Sequence, residues 1–246
     1  MNRDKKELEI LLINYFRESF TDFPKGKIVP SESPDFLITF KNRHQLGIEL
    51  TRLNPGNATL PDEQLLQKHK WREDFIERIR GLVEKDIPHR LFVKFLFSEV
   101  NPFPPENELV AAAKIAQSIR RCVSPKNPHN FFTLHLSKSE LLSGLDEILI
   151  VNHPKMQSSI WERSNNLGVS GNVIEDIRVS ILKKDEKLRL YQKQRLNYYW
   201  LLIVTDRLRG EKSFNLQNQV QNHTFQSRFQ HVYLFDLIKS NIFELV

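Results

Sequence analysis

Leu8, Leu11, Leu12, Tyr15 and Phe16 recur at helical spacing and predict a first helix that ends near Phe20, before the breaker run Asp22-Phe23-Pro24-Lys25-Gly26. A short strand is expected over 27–29. Phe36, Ile38 and Phe40 alternate with Leu37 and Thr39, the period of a strand. The polar turn Lys41-Asn42-Arg43-His44 then leads into a second strand over 46–51, so the two read as an antiparallel hairpin. Past a loop over 54–61, Asp62 can cap a helix that runs to about Glu84. Leu91, Val93 and Phe95 alternate in a strand over 90–97; Pro102, Pro104 and Pro105 break the chain before a helix over 106–121. Strands over 131–136 and 147–151, a polar loop over 164–172 and a long helix over 173–195 follow. Trp200-Leu201-Leu202-Ile203-Val204 is a continuous apolar run, the mark of a strand buried on both faces. Residues 231–235 read as the last strand. Helices alternate with strands, which predicts an α/β fold with a mixed central sheet in a single domain over 1–246.

Composition narrows the partners more than it alters this picture. The chain of 246 residues is 40% hydrophobic and holds 17 Phe, enough for a real core. No run approaches the ~18 apolar residues of a membrane span, and the charged start Met1-Asn2-Arg3-Asp4-Lys5-Lys6 does not read as a secretory signal. The single Cys122 excludes an intrachain disulfide framework and a multi-cysteine zinc site. A cytoplasmic protein is expected. A net charge of +6 permits a nucleic-acid partner without requiring one. Six Lys/Arg against two Asp/Glu within 183–195 place a local excess on the long helix, with Lys183, Lys187 and Lys193 as candidate phosphate contacts. A solvated helix face is the alternative reading of the same charges.

The chemistry is expected on the hairpin. Period-two alternation in 46–51 puts Gly47, Glu49 and Thr51 on one face and Leu46, Ile48 and Leu50 on the other. A carboxylate inside so apolar a strand is expensive to desolvate unless something satisfies it. Asp35 opens the preceding strand, and a hairpin can bring it close to Glu49. Two carboxylates at one place repel unless they share a proton or a cation, and Mg²⁺ suits hard oxygen ligands and tolerates few protein donors. The alternative is that Asp35 caps a turn and Glu49 pairs with a basic residue of a packing helix.

Pro34, Asp35, Glu49 and Thr51, set in the order helix, three strands, helix, strand, resemble the PD-(D/E)xK nuclease superfamily, with its restriction-endonuclease-like αβββαβ core. Ser33-Pro34-Asp35-Phe36 and Gly47-Ile48-Glu49-Leu50-Thr51 look like a bacterial branch of it. The resemblance implies a core over 5–100, an insertion over 101–172 and a C-terminal helix and strands over 173–246 that complete the sheet. It also implies a metal-dependent phosphodiesterase acting on DNA. Asp35, Glu49 and the Leu50 carbonyl would hold Mg²⁺, with Mn²⁺ as a substitute, and a homodimer is compatible with it. The sequence departs from the family where Thr51 stands in the place of the Lys. Either a Lys from elsewhere supplies the charge or the fold binds nucleic acid or a protein without cutting.

Lys184 is the first candidate, since it falls within the stripe Ile177, Ile181, Leu188 and Tyr191. A Lys there either reaches a carboxylate or snorkels to water. Lys68 and Lys70, on the helix after the hairpin, are further candidates, and Glu18 and Glu32 are candidate accessory acids. The eight His show no metal-ligand spacing, and no phosphate-binding glycine loop or nucleophile elbow is present. Trp71, Trp161, Tyr198, Tyr199 and Trp200 could include a base-stacking ring.

Overall fold

The protein is seen in a computed structural model that describes residues 3–53, 63–98, 107–137, 139–141, 144–163, 172–191, 196–206 and 216–246. The chain divides into two compact units, one built from Met1–Leu11 and Leu60–Asn165, the other from Leu12–Thr59 and Asn166–Val246. It is a mixed α/β protein with two mixed sheets, of six and four strands, and five helices among the described residues. No helix among them is long and apolar enough to cross a membrane.

The six-stranded sheet belongs to the second unit. The helix α1 (Arg3–Ser19) leads to β1 (Lys27–Pro30), β2 (Phe36–Thr39) and β3 (Gln45–Arg52). The hairpin forms as expected, with β2 antiparallel to both β1 and β3. Strand β8 (Tyr198–Thr205) lies parallel to β3 and to β9 (His231–Asp236), and β10 (Asn241–Glu244) closes the edge antiparallel to β9. The order β1-β2-β3-β8-β9-β10 makes the apolar run of β8 central, as a strand covered on both faces requires. One face packs Leu201, Ile203, Val232 and Leu234 against Ile177, Ile181 and Leu188 of α4 (Val173–Tyr191). The other face carries an aromatic cluster in which Phe16 meets Tyr233 and Phe235, and Trp200 meets Phe23 and Tyr233 edge-on.

The four-stranded sheet belongs to the first unit. Strand β4 (Leu91–Phe97) is central in the order β5-β6-β4-β7, between β6 (Leu145–Asn152) and β7 (Ile160–Arg163), with β5 (Phe132–Ser137) at the edge. Leu91, Val93, Phe95 and Phe97 pack under α2 (Glu63–Val83) and α3 (Glu108–Val123).

This corrects the expected assignment of residues 5–100 to one core. Strand β4 does not join β3; it pairs antiparallel with β6 and parallel with β7. Within the second unit, the order after β3 resumes at α4 and β8. The chain also continues past 231–235, the expected last strand, into β10. The pattern predicts neither strands β7 and β10 nor the helix α5 (Leu216–Gln221), whose six residues make fewer than two turns. The loop 54–61, the Asp62 cap, Pro102, Pro104, Pro105 and Glu106, residues 164–171 and the end of the long helix over 192–195 lie outside the described residues.

Candidate functional site

The site grows from the place where β2 stops and β3 does not. The β2–β3 ladder ends at Phe36 opposite Ile48, while β3 continues beside β8 to Arg52. Beyond Ile48 the β2-side edge of β3 needs another acceptor. Asp35 provides it: its Oδ2 accepts the Leu50 backbone N–H at 2.7 Å. A carboxylate thus continues the ladder that the β2 backbone has left. Neighbouring N–H and C=O groups of one extended residue point to the same edge, so the Leu50 carbonyl also faces the Asp35 side.

The approach is held by close packing. Pro34 is buried, and its ring lies so near Gly47 that a Cβ there would sit 2.5 Å from Pro34 Cγ. Gly47 is therefore required by proximity to the Pro-Asp pair, not by backbone conformation.

Glu49 faces the α4 side of the sheet. Its register partner is Leu201, which belongs to the α4-covered core. From that helix Lys184 donates to Glu49 Oε1 at 2.7 Å. The side chains are 17% and 5% exposed, so this ion pair is largely desolvated and only one end reaches water. Lys184 sits in the apolar stripe of α4 because Ile177, Ile181 and Leu188, all buried, are its neighbours at helical spacing. The next residue fixes the helix: Asp185 Oδ1 accepts from Ser227 Oγ at 2.7 Å and from the Arg228 N–H at 3.1 Å.

The structure therefore brings Asp35, Glu49, Leu50 and Lys184 to one end of the β2–β3 edge. Thr51 is half-buried on β3, in register with Ile203. Glu18 is exposed on α1, and Glu32 is exposed before β2. Lys70 is exposed on α2, in the other unit, and the Lys68 side chain lies outside the described residues. Lys183 and Lys187 are exposed on α4, whereas Lys193 and the Tyr191 side chain lie outside the described residues.

Sequence reasoning missed Asp185 as the clamp on α4. It also missed the Arg52–Asp206 ion pair at 3.7 Å, at the far end of β3. Neither has a signal in local spacing, since each partner is remote in sequence.

As a donor set, two carboxylates and a backbone carbonyl are hard oxygens of the kind that suits Mg²⁺. Among the described residues, no group of three or more His, Cys, Asp and Glu converges as a metal cluster. The fit to a divalent cation thus rests on Asp35, Glu49 and the Leu50 carbonyl, with Lys184 alongside. Comparisons of the chain with models of known families, with curated proteins and with solved structures return no match.

Proposed function

We propose that the second unit is a Mg²⁺-dependent nuclease that hydrolyses DNA phosphodiester bonds, with the PD-(D/E)xK type of site. The carrying observation is the Lys184 ammonium on Glu49, one residue from the Leu50 N–H that Asp35 holds. The element order supports the same reading: the part of α1 from Leu12 on, then β1, β2, β3, α4 and β8, give αβββαβ in the second unit, with residues 60–165 as the insertion. A Lys arriving from α4 supplies the positive charge that Thr51 lacks.

In this reading Asp35, Glu49 and the Leu50 carbonyl would hold Mg²⁺. The bound ion would lower the pKa of a water and stabilise charge on the phosphate. Asp35 is already oriented by the Leu50 N–H. Lys184, steered by the Asp185 clamp, orients the attacking water and offsets the charge that gathers on the phosphate oxygens. The partial burial of the pair strengthens each of these interactions relative to open water.

A second reading is a degenerate nuclease fold that binds nucleic acid or a protein without cleavage. The observation that favours it is Thr51, together with an ion pair that satisfies Glu49 without any metal. Purified protein incubated with plasmid, single-stranded DNA and RNA, in Mg²⁺, Mn²⁺ or EDTA, separates the two. Cleavage that needs the metal and vanishes in Glu49→Gln, with the circular dichroism unchanged, is the expected result. Retained binding with no cleavage in either metal would establish the second reading instead.

A further inference from the structure

The β2–β3 turn presents exposed side chains beside an exposed ring. Tyr198, at the start of β8, is 41% exposed and stands next to Phe40 and His44, at 6.1 and 6.0 Å between ring centroids. Its hydroxyl makes no hydrogen bond among the described residues. Lys41 and Arg43 on the same turn are exposed, and neither pairs with a carboxylate among the described residues. The sequence holds no Asp or Glu from Phe36 to Ile48 or from Leu196 to Thr205. An accessible aromatic face beside a turn that carries two exposed cations suits a base with its neighbouring phosphates.

The position of the platform decides what kind of nucleic acid fits. Tyr198 is in register with Leu46, three residues before Glu49, which is about 10 Å along the strands. Tyr198 shares the alternation of Trp200 and so lies on the opposite sheet face from Glu49. A chain that touches both must turn round the hairpin end within a few nucleotides. Duplex DNA, with a persistence length of about 50 nm, resists such a turn, and its internal bases have no free face for a ring. A single strand does neither.

We infer that Phe40, His44 and Tyr198, with Lys41 and Arg43, form a stacking platform that holds an unpaired DNA strand entering the Asp35/Glu49/Lys184 site. The substrate is then single-stranded DNA or a single-stranded end, and this rests on the nuclease reading above.

The test is fluorescence anisotropy in EDTA, where cleavage does not interfere, with a labelled oligothymidylate and a blunt duplex of equal length. The single strand is expected to bind at least about tenfold tighter than the duplex. Tyr198→Ala should weaken it by about tenfold, from the loss of one base stack, while Tyr198→Phe keeps the affinity. Replacing Lys41 and Arg43 by Ala should reduce the salt slope by about 1.4 if each meets one phosphate. Equal affinity for the duplex, wild-type affinity in Tyr198→Ala, or tighter binding of oligouridylate overturns the inference. Failure of the nuclease reading looks different: the strand still binds through Tyr198, but Mg²⁺ produces no cleavage.

Discussion

A methyl group at Gly47 would lie 2.5 Å from Pro34 Cγ and 2.8 Å from Leu196 Cδ1. Leu196 can swing its side-chain end away, but the proline ring cannot. Gly47→Ala is therefore expected to displace Pro34 and with it Asp35. Overpacking of this kind costs about 1–3 kcal/mol, so a thermal melt should show moderate destabilisation, and metal-dependent cleavage should fall further than stability does. The same scale holds the sharper test of mechanism. Lys184→Met keeps most of the buried stem and removes the ammonium from Glu49. Turnover should fall at least ~10²-fold, the low end for losing an electrostatic or acid–base group, while titration calorimetry still detects metal binding. Removing one partner of a buried pair also strands the other charge. The double variant Lys184→Met/Glu49→Gln should therefore melt higher than Lys184→Met alone, which separates the folding effect from the catalytic one.

At the scale of the element, α4 has two jobs on two faces. Ile177, Ile181 and Leu188 are buried against the sheet, while Lys183 and Lys187 are exposed. Lys184 lies on the apolar side, which is why it meets a carboxylate rather than water. The Asp185 bonds to Ser227 and Arg228 keep the helix from sliding or turning. The exposed lysines are then free for a polyanion. Neutralising Lys183, Lys187 and Lys193 together should weaken DNA binding and lower the salt slope by roughly 2–3, at about 0.7–0.9 per phosphate. An unchanged slope would mean that the charge on α4 is merely solvated.

At the scale of the molecule, alkaline pH acts on two tyrosines of the second unit. Burial pushes the Tyr15 hydroxyl up to about 12, with Asp236 adding to the effect against the Ser240 hydrogen bond. Tyr15 also donates to the Leu237 carbonyl, tying α1 to the turn after β9. Burial likewise pushes Tyr233 up to about 12, aided by the charges of Glu244 and Asp22. Both groups are harder to ionise folded than unfolded, where a tyrosine ionises near 10. Their contribution is complete below pH 10 and is lost as pH rises through about 12. Denaturant midpoints should fall most steeply between pH 10 and about 12, with tyrosinate absorbance appearing late for two residues. Tyr15→Phe, less stable at neutral pH, should show a shallower alkaline decline.

The sequence alone determined most helices and strands, because periodicity needs only neighbouring residues. The alternation at Phe36 and Ile38 and the apolar run of β8 register burial directly. It also singled out Asp35, Glu49 and Lys184, because a charge in an apolar stripe is a local anomaly that needs a remote partner. Which partner it finds is not local. Glu49 and Lys184 are 135 residues apart, and only the β3–β8 pairing with α4 packed on it brings them to 2.7 Å. Tertiary structure also decided that β4 belongs with β6 and β7. Its apolar run fits an inner place in either sheet, and the choice depends on which strands share its register and which helices cover it. The Asp35 bond to Leu50 follows from strands of unequal length, and strand ends are set by pairing rather than by the residues themselves.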